Sequence, residues 1–124
     1  MANALKRYVE VELDGKMKLV KFDFNSVSEI EEYFGKGIMA IFREEHVGFN
    51  TIRILYHFGL KWKYRNVTPQ VVGNWLQERI ENGANFKDLM EPVMTALQLS
   101  GVMGKPSQED DEEENGEFEE NEKN

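Results

Sequence analysis

The chain has 124 residues, a formal net charge of −8 and no cysteine, which excludes disulfides, thiolate metal sites and cysteine nucleophiles. The charge is concentrated at one end. Residues Ser107 to Asn124 hold 10 of the 23 acidic residues and one of the 15 basic residues, a net of −9, so the other 106 residues carry 14 basic against 13 acidic side chains, a net of +1. The nearly neutral part has no broad electrostatic footprint for nucleic acid, so we do not expect nucleic acid as a partner.

This division predicts one globular domain over residues 1–106 and a disordered acidic tail over residues 107–124. A run of like charge with a single aromatic residue, Phe118, buries too little apolar surface to offset the entropy of ordering. Two roles stay open for the tail: a solubilising appendage, and a segment with a specific interaction. No apolar stretch approaches 18 residues and the N-terminus lacks a signal-peptide core, so we expect a soluble cytoplasmic protein without membrane contact.

The first predicted element is a β-hairpin. Residues Arg7 to Leu13 alternate, with Val9, Val11 and Leu13 on one face. Asp14-Gly15 then predicts a type I′ turn, in which both central residues have positive φ. The return strand, Lys16 to Phe24, is expected to bury Met17, Leu19 and Phe22. Two strands alone are marginally stable in water, so the hairpin must pack on helices or pair with another chain.

After Asn25 the apolar period changes from two to about 3.6, which predicts helices. Ser26-Val27-Ser28-Glu29 is a capping box that starts the first helix, which ends at Gly35 and Gly37. The apolar stripe of this helix, the side that we expect to be buried, consists of Val27, Ile30, Tyr33 and Phe34. A second helix is expected from Ile38 to about His46, with Ile38, Ile41 and Phe42 buried.

The third predicted helix runs from Thr51 to Phe58, capped by Asn50 and closed by Gly59 as the residue after the helix. Thr68-Pro69, an N-cap followed by proline, starts a fourth helix that ends at Asn82-Gly83. Its stripe consists of Val72, Trp75, Leu76 and Ile80.

The last predicted helix begins near Asn85. Pro92 removes a backbone donor inside it, so a kink or a break at Glu91 is expected. Its apolar positions are Phe86, Leu89, Met90, Val93, Met94 and Leu97. The predicted class is therefore α+β, mostly α, with an N-terminal hairpin followed by four or five short helices and the acidic tail.

No constellation in the sequence predicts an enzyme. His46 and His57 have no spacing to carboxylates that resembles a metal site, and both are interpreted as structural or surface histidines. The serines are cap, helix and loop residues outside any nucleophile elbow. The glycines form no phosphate-binding loop. We therefore predict no catalytic residue, no metal and no cofactor.

One surface segment interleaves cations with aromatic rings: Lys61, Trp62, Lys63, Tyr64 and Arg65, between the third and fourth helices. Such a pattern stacks bases and neutralises phosphates. The commoner arrangement, and the one we favour, is a loop whose lysine stems cover a buried tryptophan. A third interpretation is that the acidic tail folds back over the loop in a salt-sensitive contact.

Methionines are a second candidate for partner contact, because their unbranched side chains repack against varied apolar helices. Met90 and Met94 are expected in the core. Met39 and Met103 stay open between core and partner surface.

As an ordered set, four segments resemble the tail assembly chaperones of long-tailed phages, the group that includes the small chaperone-like proteins of gene transfer agents. Tyr8 to Phe24 resembles the opening strand pair of this family, and Asn25 to Gly35 (NSVSEIEEYFG) its first helix. Phe49 to Trp62 (FNTIRILYHFGLKW) is similar to the short helix that ends in Gly-Leu, and Thr68 to Gly83 (TPQVVGNWLQERIENG) to the next, threonine-capped helix. The resemblance covers most of residues 8 to 103.

The resemblance implies a non-enzymatic helper of phage tail assembly in the host cytoplasm. Such proteins keep the long, aggregation-prone tape measure protein soluble, help recruit subunits of the major tail tube protein, and are absent from the mature virion. Many are made in a second, longer form by ribosomal frameshifting. As a hypothesis, Glu122-Lys123-Asn124 can be encoded by a run of A at which ribosomes slip, and Gly104-Lys105 is a second, equally degenerate candidate.

Two expectations stand beside this one. A small nucleic-acid-binding or regulatory protein would use residues 61–65. The exposed edge of the hairpin offers pairing with a second copy of the chain, which would produce a dimer or a ring.

Overall fold

The structure is a computed structural model, and it describes residues 2–3, 7–43 and 47–104. Within them the predicted α+β, mostly helical class is confirmed. The elements are β1 (Ala2–Asn3), β2 (Tyr8–Leu13), β3 (Lys16–Lys21), α1 (Phe24–Phe34), α2 (Ile38–Arg43), α3 (Phe49–Leu60), α4 (Pro69–Glu81) and α5 (Phe86–Ser100). The predicted end of the second helix at His46 and the predicted acidic tail, 107–124, lie outside the described residues.

The hairpin forms as predicted. Asp14 and Gly15 have φ values of 59° and 71°, the positive sign that a type I′ turn requires at both positions. This turn places Leu13 opposite Lys16. On its other side β2 pairs with the two residues of β1, so the sheet has the antiparallel order β1-β2-β3.

The prediction for the return strand is confirmed at Phe22 and wrong at Met17 and Leu19. Val20 and Phe22 are buried, whereas Met17 is exposed and Leu19 only partly buried. The turn decides this, because it sets Val20 opposite the buried Val9 and directly opposite residues share a face. The apolar residues at 17 and 19 therefore lie on the outer face.

Helices cover the inner face of the sheet. α3 contacts α1, α4, α5 and β3, while α5 contacts β2 and β3, so these two helices carry most of the packing. The side chains buried between helices and sheet include Leu13, Val20, Phe22, Ile30, Ile52, Leu55, Tyr56, Leu60, Val72, Leu89, Val93, Ala96 and Leu97. Met90 and Met94 pack against this core as expected, partly buried.

Two predicted helix starts are displaced. Asp23, not Ser26, is the N-cap of α1: the Ser26 amide donates to Asp23 Oδ1 at 2.9 Å and the Asp23 amide donates to Ser26 Oγ at 2.8 Å. α3 begins at Phe49 with Gly48 as its N-cap. Asn50, the predicted cap, lies inside the first turn and accepts a hydrogen bond from Arg53 Nη2 at 2.7 Å.

Gly59 does not end α3, contrary to the prediction. It lies inside the helix and is buried against the sheet. A Cβ at this position would lie 2.7 Å from Val20 Cγ1 and 2.8 Å from Phe22 Cζ. The glycine therefore permits close packing of helix and sheet, and α3 continues to Leu60.

Of the kink or break expected at Glu91, the break is absent: α5 is one helix from Phe86 to Ser100. A proline costs the helix one hydrogen bond, but Leu89 and Val93 beside it are fully buried. The buried Tyr56 hydroxyl also donates to the Leu89 carbonyl at 2.7 Å. Packing on the core thus holds the helix across Pro92.

The other helix boundaries agree with the predictions. Thr68 caps α4 by accepting from the Val71 amide at 3.2 Å, and Asn85 caps α5 by accepting from the Asp88 amide at 2.9 Å. Gly35 ends α1 with a φ of 74°. Tyr33 and Ile80, which were predicted on the apolar stripes of α1 and α4, are exposed, contrary to the prediction.

Candidate functional site

The basic-aromatic loop, residues 61–65, binds the free edge of the sheet. β3 is a terminal strand, and two ring side chains from the loop engage the main chain of Leu19. The Leu19 amide donates to the Tyr64 hydroxyl at 3.0 Å, and Trp62 Nε1 donates to the Leu19 carbonyl at 3.2 Å. An unpaired strand edge otherwise offers these groups to another chain. The two aromatic residues of the loop thus have a structural role.

Lys18 lies partly buried on the inner face of β3, opposite Val11. Its Nζ lies 5.1 Å from the centre of the Tyr64 ring and 4.7 Å from that of Trp75 in α4. Both distances are within the range of cation–π attraction. These rings stabilise a charge where the strand pattern would place an apolar residue.

Two more lysines contact rings around the loop. Lys21 Nζ lies 5.0 Å from the centre of the Trp62 ring. Lys61 Nζ lies 5.4 Å from that of Phe58 and 3.6 Å from Glu29 Oε1. Lys63 and Arg65 are exposed. We call these five cations the cationic face: Lys18, Lys21, Lys61, Lys63 and Arg65.

The structure places the predicted partner-binding residues on three separate parts of the fold. The loop residues lie together, and Trp62 is 40% exposed, so the interpretation as lysine stems over a buried tryptophan is wrong. Its indole is held by hydrogen bonding to the strand instead. Met39 is exposed on α2, and Met103, after α5, packs partly buried against the core.

The His57 ring lies partly buried beside the Val67 carbonyl. Its Nε2 lies 3.2 Å from the Val67 carbonyl, while Nδ1 is buried without a hydrogen-bond partner. Burial lowers the pKa of His57, and the nearby Lys61 lowers it further, against opposing contributions from the Val67 carbonyl and Glu29. These contacts agree with a structural histidine. His46 lies outside the described residues.

A second surface was missed by the sequence analysis. An apolar groove of about 480 Å³ runs between α3 and α4 and reaches α5. We call it the α3–α4 groove. Its apolar walls are formed by Phe49, Ile52, Leu76, Ile80 and Leu89, and its polar lining by Asn50, Arg53 and Gln77.

Two large apolar side chains are exposed in this groove. Phe49 is 64% exposed and Ile80 38% exposed. The Phe49 ring is held by an edge-on contact with Phe86, with ring centres 5.3 Å apart and planes at 89°. Ile80 was predicted as part of the α4 stripe. Phe49 preceded the start of α3 predicted at Thr51, whereas the family resemblance placed it at the beginning of that helical segment.

Among residues 2–3, 7–43 and 47–104, no group of three or more His, Asp or Glu side chains is arranged to hold a metal ion. The helices in that part of the chain are also too short or too polar to span a bilayer.

In comparisons with known proteins, no family model, curated protein or solved structure matches the chain.

Proposed function

We propose that the protein is a tail assembly chaperone, which binds the apolar face of helices in a tape measure protein and helps recruit tail tube subunits. The resemblance of residues 8 to 103 to that family supplies the client. The observation that carries the proposal is the α3–α4 groove, because amphipathic helices dock in apolar grooves by inserting side chains at helical spacing. The proposed action is non-enzymatic.

The groove has the chemistry of a reversible client site. Apolar side chains form its walls, and exposed Phe49 and Ile80 provide unpaired apolar surface to a client. Arg53 and Gln77 provide polar contacts at the same place. Apolar patches rimmed by polar groups mark interaction sites on soluble domains.

The alternative, nucleic-acid binding through residues 61–65, has less support. The polar atoms of Trp62 and Tyr64 are engaged with Leu19, and Lys61 is paired with Glu29. Lys63 and Arg65 are exposed and provide the remaining charge. Binding of that kind would weaken steeply with salt, whereas apolar client binding would not.

The proposal is tested by co-expression with the product of the long reading frame that lies downstream in the native DNA. We expect that partner to be insoluble alone and to become soluble and co-purify with this protein. A Phe49→Ser/Ile80→Ser variant should lose most of the soluble partner, because it removes the two exposed apolar side chains of the groove.

Phe24→Ser is the matched control. Phe24 is 77% exposed on α1, outside the groove, and its substitution should leave the soluble yield unchanged. Thermal unfolding of each variant checks that the fold is retained. A helical partner whose solubility does not depend on this protein would overturn the proposal. An equal loss with Phe24→Ser would place client binding elsewhere.

A further inference from the structure

We propose that the acidic segment Ser107–Asn124 docks on the cationic face of its own chain. The segment carries a net charge of −9. The five side chains of the cationic face surround one loop and one strand edge, with Lys18 on the inner side of β3 and Lys21 on its outer side. Asp23 and Glu29 line the depression beside Lys21 and Lys61, so the excess of three positive charges comes from Lys18, Lys63 and Arg65. Charge complementarity between the two is the first ground for this contact.

The chain leaves the fold beside this face. Arg7 Nη1 donates to the carbonyls of Leu99 and Ser100 at 3.2 Å each, which fixes the end of α5 next to the start of β2. Tyr8, the next residue, pairs with Lys21. The C-terminal end of α5 therefore lies at the same end of the sheet as Lys21 and the ring of Trp62.

The connecting chain sets how far from this exit the acidic segment can lie. The first carboxylate of the segment, Glu109, is five residues beyond Gly104, and an extended chain spans about 3.3 Å per residue, so it can lie up to about 17 Å from the exit. The run Asp110 to Glu114 follows directly. Because the exit lies at the Lys21 end of the sheet, this length of chain carries the run of carboxylates toward the cationic face.

The face also has a surface for the one aromatic residue of the segment. Trp62 is 40% exposed, and its ring lies beside Lys21. Phe118 can contact this ring while the carboxylates before it approach Lys63 and Arg65. Docking would cover the residues that a nucleic acid would need. A polyanion would therefore have to displace the ten carboxylates of the segment first.

The absence of cysteine permits a direct test in the full chain. We would place a nitroxide label on an Asn115→Cys variant and measure paramagnetic broadening of backbone amide signals by NMR. At low ionic strength, broadening should be strongest at residues 61–65 and at Lys21. Raising the salt to about 1 M shortens the screening length to about 3 Å and should abolish the pattern.

Two charge variants of the labelled chain locate the contact. Lys63→Ser/Arg65→Ser should lose most of the broadening at the cationic face. Arg43→Ser/Lys87→Ser removes two exposed positive charges from α2 and α5 and should preserve it. Partial neutralisation of the segment by Asp110→Asn, Asp111→Asn and Glu112→Gln in the same labelled chain should weaken the broadening at the cationic face.

A mixed sample separates contacts within one chain from contacts between chains. In it, one protein carries the nitroxide without ¹⁵N and the other carries ¹⁵N without the nitroxide, so any broadening comes from a contact between two chains. Broadening in the mixed sample at the cationic face would overturn the intramolecular contact in favour of docking on a second copy. Broadening centred on the α3–α4 groove, or evenly spread over the surface, would overturn the proposal as well. None of these outcomes depends on the proposed chaperone function.

Discussion

Two glycines inside helices have opposite surroundings, and their contrast shows how single residues set the packing. Gly59 faces the buried side chains of Val20 and Phe22. Gly73 in α4 faces the aliphatic part of Arg53, where a Cβ would lie 3.4 Å from Cδ. The first contact is with two rigid core side chains and the second with a flexible one. A methyl group should therefore be tolerated at only one of these positions.

We predict that Gly59→Ala lowers the free energy of unfolding by about 1–3 kcal/mol, the usual cost of overpacking a core. The added Cβ would come within 3 Å of both Val20 and Phe22, so helix and sheet must move apart. Urea denaturation of the full chain measures the effect. A neutral result would show that the interface can relax.

Gly73→Ala is the matched control. Alanine favours a helix over glycine by about 1 kcal/mol, and Arg53 can shift to admit the methyl group. We expect Gly73→Ala to leave the free energy of unfolding unchanged or to raise it by up to about 1 kcal/mol. If both substitutions destabilise equally, the close contact at Gly59 is not the cause.

His57 makes stability depend on pH. Its pKa in the folded state is lowered by burial, so the unfolded chain takes up a proton first as the pH falls through the ordinary histidine range. The free energy of unfolding should therefore decrease as the pH falls below about 6.5. His57→Gln, which keeps a donor for the Val67 carbonyl, should show a smaller decrease. Denaturation of both proteins at several pH values makes the comparison, and equal slopes would contradict it.

At the scale of elements, the edge of β3 is held by a loop rather than by another strand. Trp62 and Tyr64 occupy the Leu19 carbonyl and amide, and β1 covers part of the opposite side of the hairpin at Tyr8 and Val9. Arg79 of α4 also donates to the Glu12 carbonyl at 3.3 Å. Pairing with a second copy through the hairpin edge remains a prediction, and it would have to use the other main-chain groups.

We predict that Tyr64→Phe accelerates hydrogen exchange of the Leu19 amide, because the hydroxyl that accepts its hydrogen bond is removed. Trp62→Phe serves as the control: it removes the donor to the Leu19 carbonyl and leaves the amide bonded to Tyr64. Exchange measured by NMR should therefore separate the two variants. Equal protection of Leu19 in both would show that solvent is excluded by other contacts.

The sequence predicted most elements, since caps, turns and periods are local signals. Thr68-Pro69, Asn85 and Asp14-Gly15 all mark boundaries that the structure confirms. Its errors concern contacts made across the fold. Which face of β3 is buried depended on its pairing with β2. Glycine is a residue type that often ends helices, but Gly59 lies inside α3 at a close contact with the sheet.

At the scale of the whole molecule, charge divides the chain into a nearly neutral part and a strongly negative one. We predict that a chain ending at Pro106 is less soluble near pH 7 at low salt, because a net charge near +1 leaves little repulsion between molecules. Light scattering against protein concentration measures this. A full-length variant whose tail acids are changed to Gln and Asn tests the effect of charge apart from that of length. Unchanged solubility in both the shortened chain and this variant would exclude a solubilising role for the tail.

The sequence by itself determined the composition, the division of charge, the hairpin turn and most helix boundaries, because each depends on residues close together in the chain. It also identified residues 61–65 as unusual. Only the tertiary structure decided that Trp62 and Tyr64 bind the edge of β3, that Lys18 lies between two rings, and that Phe49 and Ile80 line one groove. These contacts join residues up to 57 positions apart, Lys18 and Trp75 among them. Local periodicity carries no information about which distant side chains meet, so folding of the whole chain is required to bring them together.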